Sequence, residues 1–167
     1  WTGRIGVDYH QGLAGFENSR FYKLDLLKSV GQFADIRLQL SPRWTTFGGV
    51  RWNDTRHSDE QRAVNDVQSQ TNTIGLSYQT PKGNSLGMEV KRTDVQFPHR
   101  QSLLASLQDT AYTEESANLL VDYRFSEKIR IDGSVGYIER RHPHFGFRDF
   151  AGEVWRTELV WKPVAKV

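Results

Sequence analysis

Three histidines and a serine are the residues whose types invite chemistry. His142-Pro143-His144 could join His57 as nitrogen donors for a metal, and Ser102 with His142 or His144 could begin a hydrolase site. Neither idea carries far. An i,i+2 histidine pair on a loop is a loose ligand spacing, and the sequence places no carboxylate to complete the set. No Gly-x-Ser-x-Gly turn presents a nucleophile. Gly48, Gly49 and Gly83 read as strand-packing or turn residues rather than a phosphate loop. The expectation is a protein without catalytic, metal or cofactor-binding residues, not an enzyme.

A second set of chemistry-bearing residues is more regular. Arg4, Arg37, Arg51, Lys91, Arg124, Arg130 and Arg156 alternate with apolar neighbours, and so do Asp8, Asp35, Glu89, Asp122, Asp132 and Glu158. Segment 1–10 sets Ile5, Val7 and Tyr9 against Arg4, Asp8 and His10. The same period of two runs through 33–40, 44–54, 71–79, 85–93, 113–125, 129–140 and 151–161. Such alternation places residues on opposite faces of a sheet. One face is then apolar and the other lined by mixed charge.

The elements that must carry these faces are eight strand-like segments of one domain, 1–167. Brief connections at 41–43, 80–84, 126–128 and 162–166 alternate with long polar ones at 11–32, 57–69, 95–111 and 142–149. Turns short at one end and long at the other are typical of an outer-membrane β-barrel. The expected fold is all-β, an antiparallel up-and-down transmembrane β-barrel. Residue 1 already reads as strand and 162–166 as a turn, so the eight segments are expected to be part of a larger barrel in a longer chain.

Composition is consistent with this. Mean hydropathy is −0.62, and no segment approaches the ~18 apolar residues of a membrane helix. A barrel strand turns only alternate side chains to lipid, so its average stays low. The five Trp, six Tyr and nine Phe are a heavy aromatic load. Trp44, Tyr78, Tyr123 and Trp161 fall beside the short turns; Trp52, Tyr112, Tyr137, Phe150 and Trp155 fall toward the long loops. Asp54, Arg92, Glu115, Glu139 and Glu153, the charges that land on the apolar face, all sit near the long-loop ends. Net charge is +2 with no polybasic run, which argues against a nucleic-acid partner. The chain has no cysteine, so neither a disulfide scaffold nor a thiolate metal site is available. A soluble β domain remains the alternative that alternation by itself does not separate.

The last third has a familiar wording. Leu120-Val121-Asp122-Tyr123-Arg124-Phe125-Ser126-Glu127-Lys128, Ile138-Glu139-Arg140-Arg141-His142-Pro143, Phe147-Arg148-Asp149-Phe150-Ala151-Gly152 and Leu159-Val160-Trp161-Lys162-Pro163 carry it. These stretches resemble the EpsL-like outer-membrane β-barrel proteins of exopolysaccharide operons. The resemblance implies residence in the bacterial outer membrane and a part in exopolysaccharide biosynthesis or export. Partners would be outer-membrane lipid, the polymer and other export-machinery proteins. It transfers no catalytic residue. The lumen-lining set expected from alternation is Arg4, Asp35, Arg37, Arg51, Glu89, Lys91, Asp122, Arg124, Arg130, Asp132, Arg156 and Glu158. The competing functions are a general or substrate-selective porin and a barrel enzyme acting on lipid or polysaccharide.

Overall fold

Each strand pairs with the next in sequence, so the chain is a pure antiparallel meander. The computed structural model describes residues 1–13, 25–100 and 109–162. Its strands are β1 (Thr2–Leu13), β2 (Leu26–Gln39), β3 (Trp44–His57), β4 (Val67–Gln79), β5 (Ser85–Gln96), β6 (Ala111–Arg124), β7 (Ile129–Arg141) and β8 (Phe150–Trp161). They form one sheet in the order β1-β2-β3-β4-β5-β6-β7-β8. The sheet is open: β1 and β8 are its two edges.

Local chemistry sets the short turns. In 41–43 and 126–128 the first residue is serine, and its hydroxyl accepts from the backbone N–H two and three residues on. Ser41 Oγ takes Arg43 N at 3.3 Å and Trp44 N at 3.1 Å; Ser126 Oγ takes Lys128 N at 3.3 Å and Ile129 N at 3.2 Å. These side-chain bonds replace ladder bonds that the reversing backbone gives up. The third turn needs a left-handed residue, and Gly83 (φ 82°) supplies it. Of the fourth expected turn, 163–166 lies outside the described residues.

The strands run further than alternation of apolar residues predicts. The segment expected at 33–40 starts at Leu26, because the polar stretch Lys28-Ser29 pairs with His10 and Gln11. Ladder hydrogen bonds are made by the backbone, so pairing continues after the side chains have become polar on both faces. The long connections shrink accordingly, and much of the first (14–24) lies outside the described residues. The second folds into a 3-10 turn over Glu60–Asn65, capped by Asp59 accepting from Gln61 N at 3.2 Å.

Among the described residues no second layer covers this sheet. Among the described residues only Val95 and Phe145 are buried hydrophobics, while Ile5, Ile74, Met88 and Val135 are 87%, 65%, 66% and 53% exposed. Among the described residues no helix is long and apolar enough to cross a membrane.

Candidate functional site: two faces and a stitched rim

Directly paired residues share a face, so the ladder register assigns every side chain. The apolar face carries rows such as Ile36, Gly48, Ile74, Val90, Ala117 and Tyr137, or Leu38, Thr46, Leu76, Met88, Leu119, Val135 and Trp155. The five expected charges on this face, Asp54, Arg92, Glu115, Glu139 and Glu153, lie on it at its long-loop side.

Aromatic residues bound this face in two lines. Near the short turns run Trp1, Trp44, Tyr78, Tyr123 and Trp161. Toward the long loops run Tyr9, Trp52, Tyr137 and Trp155. Trp44 and Tyr78 are direct partners with ring centroids 5.1 Å apart. Between the lines, among the described residues, the face has no Asp, Glu, Lys or Arg. Tyr112 and Phe150 were expected in the upper line and are not there. Tyr112 pairs with Val95 and Phe150 with Arg140, so both belong to the charged face. The cause is parity, and both also stand further toward the long loops than the line: Phe150 lies five residues beyond Trp155 on β8, and Tyr112 five beyond Ala117, the partner of Tyr137.

Both lines are oblique to the ladder. The hydrogen-bonded row that begins at Tyr9 passes through Val30, Asp54, Gln68, Gln96 and Ala111, leaving the aromatic line behind. Between β1 and β8 the upper line slips by about eight residues and the lower by about six, each residue being ~3.3 Å along a strand. Seven inter-strand steps of ~4.8 Å separate the same strands, so the lines lean about 30–40° from the perpendicular to the strands. Trp44 and Trp52 stand about 26 Å apart along β3 at that rise per residue.

The other face holds all twelve residues expected to line a lumen. Arg4 donates to Asp35 at 2.9 Å; Arg51 lies 3.9 Å from Asp8; Lys91 is 3.2 Å from Glu89. Arg130 bridges Asp122 at 2.9 Å and Asp132 at 3.0 Å. Glu158 extends that acidic row, as the direct partner of Asp132. Arg37, Arg124 and Arg156 have no ion pair with another described residue. Over β1–β5 the face is hollowed into a space of about 810 Å³ lined by Arg4, Asp35, Arg37, Arg51, Glu89 and Lys91. Two glycines on this face lie under aromatic rings. Phe33 lies across Gly6, where a Cβ would come within 2.6 Å of the ring, and Phe47 lies across Gly75. Arg51 in turn stands over the Phe33 ring, 5.3 Å from its centroid.

The long-loop rim has an order the sequence did not reveal. Its buried polar side chains are Asp25, Asp59, Asp66 and Asp109, at 2–5% exposure. Three of them tie one loop to the next. Asp25, just before β2, accepts from Ser58 N at 3.0 Å, Asp59 N at 3.1 Å and Arg62 Nη1 at 3.1 Å in the β3–β4 loop. Asp66 accepts from His57 N at 2.8 Å, has His57 Nδ1 at 3.0 Å, and holds His99 Nδ1 of the β5–β6 loop at 3.1 Å. Asp109 accepts from His144 N at 3.1 Å and has His144 Nδ1 at 2.9 Å, joining the β5–β6 and β7–β8 loops. Burial by itself would raise the Asp25 and Asp109 carboxyls, but their hydrogen bonds outweigh it and hold both below the ordinary range.

Carboxylates therefore do stand beside the histidines, which the sequence did not show. They engage backbone N–H and Nδ1 rather than a shared metal, and no group of three or more donors among the described residues could hold an ion. His142 also donates its backbone N–H to Asp149 at 2.7 Å, while its Nδ1, 3.4 Å from the same oxygen, makes no hydrogen bond. Ser102 lies outside the described residues. A signal for the clasps existed in the aspartates just before β2, β4 and β6, but most of their partners are tens of residues distant. Comparison of the chain with protein-family models, curated proteins and solved structures returns no match in any of the three.

Proposed function

We propose that the eight strands are the wall of a transmembrane β-barrel in a bacterial outer membrane. The observation that carries this reading is the charge-free apolar band between two oblique aromatic lines. A soluble sheet has to cover an apolar face of this extent with protein. Among the described residues nothing covers either face, and lipid is the cover that fits the band's edges and its height of about 20–23 Å, the ~26 Å along strands tilted by about 30–40°. Outer-membrane strands tilt by ~35–45°, and their apolar band is ~25 Å tall with aromatic girdles at both borders. The tilt read from the girdles overlaps that range. Trp and Tyr at both borders fit the headgroup level, where an amphipathic ring is stable.

The charged face then lines a wet interior. Its charges are numerous, mostly paired and individually weak as contacts, which suits passage of a hydrated chain better than tight capture. With the EpsL-like resemblance, the reading is a non-enzymatic barrel that takes part in exopolysaccharide export or anchoring. The test is reconstitution of the full-length protein in vesicles and planar bilayers. A heat-sensitive shift in gel mobility and a conductance reduced by added polysaccharide are expected. Solubility without detergent, and no shift, would remove the membrane reading. A large conductance indifferent to polysaccharide would favour a general porin instead.

A further inference from the structure

We infer that the short-turn rim is a docking band for anionic phospholipid headgroups, an inference that rests on the membrane reading above. Arg43, Lys82, Lys128 and Lys162 occupy this rim, all exposed. The only acid in the described short turns is Glu127. None of the four cations forms an ion pair with another described residue. At the opposite end, among the described residues, four arginines are paired: Arg56 with Asp54 at 2.6 Å, Arg62 with Asp25 at 3.1 Å, Arg140 with Glu114 at 2.6 Å and Arg141 with Glu139 at 2.7 Å. Arg100 there donates to the carbonyls of Val64 and Asp109, and Lys28 forms no ion pair with another described residue. The two rims thus differ in free positive charge.

Position gives that charge its partner. Arg43 precedes Trp44 and Lys162 follows Trp161, both members of the lower aromatic line. Arg43 Nη1 reaches the hydroxyl of Tyr78 at 3.4 Å, which places the guanidinium at the polar edge of the Trp44–Tyr78 pair. Phosphates lie just beyond the layer where interfacial Trp and Tyr sit. A cation in that layer can donate to phosphate oxygens while its stem covers apolar surface. An acidic polymer moving along the charged face is the weaker occupant: Arg4 and Arg130 there are already engaged by Asp35, Asp122 and Asp132. The unpaired Arg37, Arg124 and Arg156 each stand two residues from a carboxylate of the same face, Asp35, Asp122 and Glu158.

The test places Trp52→Phe and Trp155→Phe in the full chain, so that fluorescence reports the lower line, and reconstitutes it in phosphatidylcholine vesicles. Brominated phosphatidylglycerol and brominated phosphatidylcholine are compared as quenchers. Each Lys or Arg near an anionic surface favours it by roughly five-fold. The glycerol lipid should therefore occupy neighbouring sites several-fold more than the choline lipid. That preference should vanish in about 1 M salt, where the screening length falls to ~3 Å. It should also vanish in Arg43→Gln/Lys82→Gln/Lys128→Gln/Lys162→Gln, with the heat-sensitive mobility shift as the control for folding. Equal quenching by both lipids in the parent overturns the inference and leaves the membrane reading standing. Absence of quenching by either lipid overturns the membrane reading itself. Binding of polygalacturonate that depends on the four cations, without lipid preference, would assign the rim to polymer and overturn the lipid proposal.

Discussion

Asp66 and His99 come from different long loops and meet at 3.1 Å, while the same carboxylate caps the backbone of His57 at 2.8 Å. One 5%-exposed side chain thus fixes the exit of β3 and ties it to the loop after β5. Asp66→Ala leaves a buried N–H and two imidazoles without their acceptor, a loss of about 1–3 kcal/mol. Hydrogen exchange should rise at 57–66 and 97–100 while protection in the middle of β4 and β5 is kept. Unchanged exchange at 97–100 would show that the contact does not couple the loops.

Asp25 and Asp109 give the rim a pH dependence of definite sign. Their folded-state pKa values lie below the unfolded value of about 3.9. Their contribution is complete above that value and is lost as pH falls from about 4 through the depressed folded values. Proteolysis of the long loops should therefore be unchanged from pH 7 to 5 and accelerate below about pH 4. In Asp25→Asn/Asp109→Asn the loops should be more open at pH 7, with a flatter acid response. An acid response as steep as the parent's would separate these two carboxyls from the effect.

Gly75 and Gly6 differ in what surrounds them, which makes them a graded pair. A methyl at residue 6 meets only the Phe33 ring, at 2.6 Å and free to swing aside. At residue 75 it meets Phe47 and also the backbone carbonyl of Met88 at 2.7 Å, which belongs to the neighbouring strand. Overpacking costs about 1–3 kcal/mol. Gly75→Ala should lie at the upper end and Gly6→Ala at the lower, measured by denaturant unfolding. Phe33→Ala should rescue Gly6→Ala, whereas Phe47→Ala should rescue Gly75→Ala only in part.

The apolar face can be mapped by charge scanning. Leu119 lies between the aromatic lines, and Thr113, on the same strand and face, lies above them. An arginine costs about 2–4 kcal/mol at the middle of a bilayer and ~0–1 near its border. Leu119→Arg should lower folding yield into vesicles sharply and Thr113→Arg hardly at all. Equal effects at both positions would contradict a lipid-facing band.

Much of this architecture follows from local chemistry. Period-two alternation requires strands with two unlike faces, because successive side chains point oppositely. Serine, proline and glycine in the brief connections stop each strand where the backbone needs a substitute bond or a positive φ. Those rules place Arg4, Asp35, Lys91 and Arg130 on one face without any knowledge of their partners. Similar spacing in 115–128 and 153–166 likewise puts Tyr123 and Trp161 at matching heights on the same face.

Register between strands is a different kind of information. Whether Tyr9 stands opposite Val30 or a neighbour two residues away depends on a whole ladder, and only that choice turns scattered aromatics into two oblique lines. The same holds for phase: Tyr112 and Phe150 lie toward the long loops, but the pairing with Val95 and Arg140 commits them to the charged face. The clasps go furthest beyond local rules. Asp25, Asp66 and Asp109 are unremarkable loop acids in one dimension, and they become acceptors for residues up to 37 positions away once the strands bring their loops together. The alternation of residues determined what each face is made of; the tertiary register decided which residues share a depth and which loops are joined, since both depend on contacts between segments distant in sequence.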